Sequence, residues 1–268
     1  MTRTQGIQLP AMPFKVPKTR FNDTVEMERV WNSTILDIYG VKALRKVVEG
    51  ATLNDVSLAI CGGELRRYLL EKGELPDKPL VVMVPVSTRT AEEKNAMGNK
   101  VSTIYVQLAT DVEDPIKRLE KIQINIMVGK LYQDAIDKKS LMGYAELIPF
   151  GLAAVAARFY INAAITKHHN PLFNVVMTNV PGPQIPIYLA DHKLIVNVGT
   201  APIFDGMGLI IPIFSYCGTL SISPTSSVNL MPDLDVFTHY IRDSANELEQ
   251  AVQEKLAGQA VIDVLMKS

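Results

Sequence analysis

The chain has 268 residues, 47% of them hydrophobic, which suffices for a sizeable core in one large or two moderate domains and excludes wholesale disorder. Lysine and arginine number 27 against 28 aspartate and glutamate, a net charge of -1, and no basic block interleaves with aromatics, so a nucleic-acid partner is not expected. Cys61 and Cys217 stand far apart and outside any CxxC or Cys/His spacing, so they suggest neither zinc nor a disulfide framework and read as small hydrophobes in a reducing compartment.

The opening run MTRTQGIQLPAMPFKVPKTRF is proline-rich and basic and lacks the apolar stretch of a signal peptide; residues 1–24 are expected to form a linker or arm. Met27 to Ile38 has the β-branched and aromatic content of a strand, and VKALRKVVEG reads as a short helix stopped by Gly50. From Thr52 onward Val56, Ala59, Ile60, Leu65 and Leu69 recur at helical spacing, with Glu64, Arg66, Arg67 and Glu71 falling elsewhere. Gly62 and Gly63 inside that helix each cost up to about 1 kcal/mol relative to alanine, which marks close packing against a neighbour.

PLVVMVPVS and VSTIYVQLA follow as strands around a polar loop, TRTAEEKNAMGNK. Asp114 and Pro115 then open a helix as cap and first helical residue. A more apolar helix is expected from Met142 to about Thr166. Its part LIPFGLAAVAARFYINAAIT is about a bilayer long, but Arg158 and Asn162 interrupt it, and a central arginine costs roughly 2.5–3.5 kcal/mol on insertion scales. A buried helix, a helix on a lipid surface and a true span all remain open for it. Strands are expected at Phe173–Val180, Ile187–Leu194, Ile195–Ile203, Leu209–Tyr216 and Thr219–Ser223. A last helix should turn Val236, Tyr240, Leu248 and Val252 to one side. Long helices around several strands without regular βαβ repeats give an α+β class.

Four stretches invite chemistry. His168 and His169 have no carboxylate at ligating spacing and sit at a helix end, where histidine is favoured electrostatically. TLND has the threonine-x-x-acid form of a capping box, which explains Thr52 and part of Asp55 and leaves Asn54 over. FDGMGL carries an Asp-Gly turn whose Asp205 is either a turn residue or a buried carboxylate fixing nearby backbone or an arginine. SYCG resembles a hairpin, with no nucleophile signature, and no phosphate-cradling loop is present.

Taken in order, TLNDVSLAICGGELRRYLLEKGELPDKPLVVMVPVSTR, GNKVSTIYVQLATDVEDPIKRLEKI, NVVMTNVPGPQIPIYLADHKL and FDGMGL...SYCGTLSIS...MPD resemble the C-terminal half of the bacterial wax ester synthase/diacylglycerol acyltransferases. The likeness runs from about Pro13 to about Ala251. It implies one lobe of a chloramphenicol-acetyltransferase-like two-lobed fold, a mixed sheet flanked by long helices, with the domain at 25–255 and a tail at 256–268. It implies fatty acyl transfer from acyl-CoA, a co-substrate and not a cofactor, to a long-chain alcohol or diacylglycerol. The second histidine of an HHxxxDG motif is the family's general base. That motif belongs to the N-terminal half and is not in this chain: HHNPLFN puts Phe173 and Asn174 where Asp and Gly would stand.

By resemblance, Asn54 and Asp55 match the Asn-Asp pair across the cleft from that base and are expected to line the acyl-transfer channel. Asn179, Pro181 and Gly182 match the Asn-x-Pro-Gly element, and Asp205 with Gly206 a late Asp-Gly turn; these are expected to shape structure or the lobe interface. Cys217 stands where the family commonly has a polar residue, which puts a hydrogen bond there in doubt. No catalytic residue and no metal are assigned to the chain, which alone is expected to be inactive. Its expected partners are the missing lobe or further copies of itself, with acyl-CoA and a lipid alcohol as ligands. Its expected place is the cytoplasm, with peripheral contact to membrane or lipid droplets left open. A non-catalytic lipid-binding or protein-interaction module is the alternative.

Overall fold

The computed structural model describes residues 15–87, 101–140 and 170–265. The expected helix over 142–166, the polar loop before β4 and the pair His168–His169 lie outside them. In chain order the elements are β1 (Arg29–Trp31), β2 (Thr34–Asp37), α1 (Ile38–Leu44), α2 (Leu53–Glu71), β3 (Val81–Ser87), β4 (Val101–Gln107), α3 (Pro115–Ser140), β5 (Val175–Pro181), β6 (Tyr188–Leu189), β7 (His192–Lys193), β8 (Ile210–Tyr216), β9 (Thr219–Ile222), β10 (Thr225–Ser227) and α4 (Leu234–Leu265).

Eight strands form one mixed sheet in the order β1-β10-β8-β5-β3-β4, with β9 beside β8 and β2 beside β9. β5 lies at its centre, parallel to both β3 and β8. The expected strand over Met27–Ile38 is split at Asn32–Ser33. Its partner splits at the same level, between β9 and β10, where Pro224 has no N–H to give a ladder and its carbonyl instead accepts from the Asn32 N–H. The expected strand at Ile195–Ile203 pairs with nothing: side chains hold it, through Trp31 Nε1 on the Gly199 carbonyl at 2.9 Å and Ser221 Oγ on the Asn197 carbonyl at 2.7 Å. Ile187–Leu194 is likewise no single strand but the small hairpin β6–β7.

The core lies between one face of the sheet and α2, α3 and α4. Val82, Val84, Ile104, Val106, Val175, Met177, Ile211 and Ile213 meet Val56, Ile60, Leu65, Leu119, Ile122, Phe237 and Ile241 there. α4 buries Phe237, Ile241, Ala245, Leu248 and Val252, whereas Val236, expected inside, is 39% exposed. The seam starts one residue later because Phe237 packs edge-on to Tyr68, with ring centroids 5.2 Å apart. α4 continues to Leu265, across the point where a tail was expected. Within the segment expected as a linker or arm, Val16, Phe21 and Asn22 are buried. No helix among the described residues is long and apolar enough to cross a membrane.

α2 agrees with expectation at its glycines and departs from it at Glu64. Its glycines are packing sites, as expected: a Cβ on Gly62 would stand 2.8 Å from the Leu108 carbonyl oxygen, and one on Gly63 would collide with Ser244 Oγ and the Arg118 guanidinium. Glu64, expected to fall away from the apolar positions, is instead 0% exposed, with no hydrogen bond to either carboxyl oxygen among the described residues. Burial holds its pKa well above the usual carboxylate range, and the Cys61 thiol one turn back offsets this only in part. The folded state therefore keeps a proton that the unfolded chain releases above about pH 4.3, so Glu64 removes stability as pH rises from there towards the folded pKa. Glu64→Met is expected to raise stability at pH values above about 4.3 and to flatten the decline with rising pH in urea unfolding. An unchanged decline in the variant would exclude Glu64 as its source.

Candidate functional site

The start of α2 is fixed locally. Thr52 is the extended N-cap, its Oγ1 accepts from the Asp55 N–H at 3.3 Å, and Asp55 Oδ2 accepts from the Thr52 N–H at 2.8 Å. This reciprocal cap satisfies two otherwise orphaned donors and leaves Asp55 3% exposed. Asn54, half-buried beside it, takes no part in the cap. Its Oδ1 accepts instead from Asn179 Nδ2 on β5 at 3.2 Å.

Asn179 reaches α2 because of strand register. Along β5, Val175 and Met177 enter the helix-side core, and the period of two puts Asn179 on that same face at the strand's C-terminal end. There β5 keeps its parallel pairing to β8 through Pro181↔Ser215, while its pairing to β3 covers only Val82↔Val175 and Met83↔Val176. The Pro-Gly-Pro break continues the ladder to β8. The Gly182 N–H donates to the Ser215 carbonyl at 2.9 Å, and the Cys217 N–H donates to the Pro183 carbonyl at 3.2 Å. A Cβ on Gly182 would fall inside contact distance of that Ser215 oxygen, so the glycine answers to close approach of two backbones.

Asp205 and Gly206 act elsewhere. Gly206 has φ +80°, Asp205 Oδ1 accepts from the Val25 N–H at 2.8 Å, and the Gly206 carbonyl accepts from Asn22 Nδ2 at 3.2 Å. The turn thus fixes neighbouring backbone, with an exposed rather than a buried carboxylate. It ties residues 22–25 to the sheet together with Asn174, whose Nδ2 donates to Asn22 Oδ1 at 3.0 Å and to the Pro17 carbonyl at 2.7 Å. Nothing in the spacing of Asn22 and Asn174 announces that cluster. SYCG is a hairpin, as expected: Cys217 and Gly218 have φ of +42° and +88°, the signature of a two-residue turn. At Cys217, where a hydrogen bond was in doubt, the backbone N–H donates to the Pro183 carbonyl at 3.2 Å.

Tyr216, unnoticed in the sequence, is 1% exposed, and its hydroxyl joins the two legs of the β6–β7 hairpin. It accepts from the Ile187 N–H at 2.9 Å and donates to the Leu194 carbonyl at 3.1 Å. The hairpin so held carries Ile185, Leu189 and Ile195 at 70%, 85% and 81% exposure.

A mixed sheet with helices on one face thus brings a capped Asn-Asp helix start into contact with an Asn-x-Pro-Gly strand end. The WS/DGAT C-terminal domain profile matches residues 97–249, and the chain belongs to that family. A Mycobacterium bovis protein named as a diacylglycerol O-acyltransferase is 32% identical over 243 residues, 90% of this chain and 52% of that protein. A Mycobacterium tuberculosis relative of the same name is 33% identical over 84% of this chain and 44% of its own length. The wax ester synthase/diacylglycerol acyltransferase from Marinobacter aquaeolei VT8 superposes with a TM-score of 0.68 at 25% identity, over 89% of this chain and 52% of that one. The starter condensation domain of rhizomide synthetase shares the fold, with a TM-score of 0.52 at 14% identity over 91% and 49% of the two chains. The chain spans about half the length of these relatives.

The two halves of the motif differ in what holds them, and stability should separate them. Gly182→Ala places a methyl group against backbone and breaks a ladder bond, an expected loss of about 2–4 kcal/mol. Asn179→Ala removes one half-buried neutral hydrogen bond, an expected loss of about 1 kcal/mol or less. Denaturant unfolding of both variants checks this. A loss at Asn179 equal to that at Gly182 would make the amide contact a structural one.

Proposed function

We propose that this chain is the C-terminal lobe of an O-acyltransferase that moves a fatty acyl group from acyl-CoA to a long-chain alcohol or diacylglycerol, completing its site with a histidine-bearing half outside this chain. The contact between Asn54 and Asn179 carries the reading: two motifs 125 residues apart meet at one end of the central strand. In the proposed arrangement Asn54 lines the channel and Asp55 sets the helix start behind it. Asn179, Pro181 and Gly182 form the adjoining wall, and Asp205 with Gly206 secures the N-terminal segment.

A carboxamide takes no proton from an alcohol near neutral pH, so neither asparagine serves as general base, and Asp55 is engaged in the helix cap. The base must come from elsewhere, which agrees with a chain about half as long as its relatives. The exposed apolar hairpin supports a covering partner, since apolar patches of this kind mark interaction surfaces. Water-insoluble substrates would bring the assembled protein to a membrane or lipid droplet from the cytoplasm.

The purified chain with palmitoyl-CoA and hexadecanol or dioleoylglycerol is expected to form no ester. Addition of an HHxxxDG-bearing half, from its own coding region or a mycobacterial relative, is expected to start ester formation. Turnover by the chain alone overturns the split-site reading. A half that binds without starting turnover favours the alternative, a lipid-binding or interaction module that has left the chemistry.

A further inference from the structure

Between them, Asn54 and Asn179 spend one acceptor and one donor on their mutual bond. Each side chain carries both a carbonyl oxygen and an amino group. Asn54 Nδ2 and Asn179 Oδ1 therefore stand without a protein partner among the described residues. Exchange of oxygen and nitrogen in both amides, an ambiguity inherent in asparagine, leaves the same balance of one donor group and one acceptor group. Both side chains are half-buried, so the spare groups are accessible yet sit in surroundings less polar than open water. Among the described residues, the pairing of β3 with β5 runs only through Val82↔Val175 and Met83↔Val176, short of Asn179.

We infer that this asparagine pair is an amide-recognition clasp that binds a secondary amide of the pantetheine arm of acyl-CoA, with Asn179 Oδ1 accepting the amide N–H and Asn54 Nδ2 donating to its carbonyl. The inference rests on the acyltransferase reading above and names the part of the co-substrate that this end of the lobe holds. The pantetheine arm brings two secondary amides into the protein, and each must find partners or pay the desolvation cost of an unmade hydrogen bond. A neutral donor beside a neutral acceptor matches a secondary amide in kind. A carboxylate or phosphate would call for two donors or a cation. A long-chain alcohol offers only its reacting hydroxyl, whose proton has to go to a base, a task that a carboxamide cannot perform, and the ester carbonyls of a diacylglycerol bring no N–H for Asn179 Oδ1 to accept.

The test uses this chain combined with the histidine-bearing half and two kinds of unreactive probe in calorimetric titration. One is S-hexadecyl pantetheine, a thioether that cannot transfer its chain. The other is the same molecule with each amide in turn replaced by an ester, which removes the N–H and keeps the shape. Wild type is expected to bind one of the esters about five- to tenfold more weakly than the amide, the value of one neutral hydrogen bond. In Asn179→Leu, which loses the acceptor of that N–H, the amide-to-ester ratio is expected to fall to about one, the coupling that a double-mutant cycle reports, whereas Asn54→Leu, which loses the donor to the carbonyl, is expected to weaken binding of amide and ester alike. This ratio compares two probes on the same protein, so a general loss of folded molecules does not move it. Equal affinity of wild type for the amide and both esters, or an unchanged ratio in Asn179→Leu, overturns the clasp and leaves the acyltransferase reading standing. Absence of saturable binding for every probe overturns that reading, and the clasp with it.

Discussion

The position of α2 is the constraint on which the rest of this lobe depends. Gly62 lets the helix rest against the Leu108 carbonyl at the end of β4, and Gly63 lets the guanidinium of Arg118 and the hydroxyl of Ser244 come against its backbone. Ser244 Oγ in turn donates to the Ile60 carbonyl at 2.8 Å. Two glycines in mid-helix reduce helix propensity by up to about 1 kcal/mol each, a cost offset by packing with α3 and α4 that no side chain would allow. The helix cannot slide or turn within this cage. Its N-terminus, capped by Thr52 and Asp55, is thereby held where Asn54 meets β5.

The second half of the contact depends on the sheet. β5 is bonded to β8 on one side along its whole length, and the ladder would fray at Pro181, which has no N–H, but for Gly182 bonding onwards to Ser215. The break therefore keeps the strand end straight and in register while its two prolines prevent further pairing. Asn179, two residues before Pro181, inherits a fixed height above the sheet. A helix immobilised by glycines and a strand end immobilised by a glycine bring two amides together at 3.2 Å.

How much of this was legible follows from how far apart the interacting residues lie. The capping box at Thr52–Asp55, the Asp114 cap of α3 and the Cys217–Gly218 turn are interactions over three residues or fewer, and the sequence pattern announced each of them. The meeting of Asn54 with Asn179, the Asn22–Asn174 cluster and the Tyr216 staple span distances at which spacing carries no information. Family resemblance pointed to Asn54 and Asn179 separately, not to their contact. Glu64 was misplaced for a different reason. Amphipathic spacing presumes a helix with one wet face, and α2 is enclosed by the sheet, α3 and α4, so a charged residue has no outward direction left at mid-helix.

Glu64 and the asparagine pair also show why neutral groups suit an open site. An unpartnered buried carboxyl must stay protonated, so its cost to the fold depends on pH. Arg118, buried against the opposite side of α2, has its pKa lowered by desolvation and is stabilised by Glu247 and by donation to the Glu113 carbonyl at 2.8 Å. Neither charged group could stand half-open to a cleft without changing its ionisation when a ligand displaced the water. Two carboxamides have no ionisation to change. In the proposed clasp a ligand amide would take the place of solvent at their spare donor and acceptor group for group, so filling the site would disturb neither the helix cap behind it nor the strand that carries it.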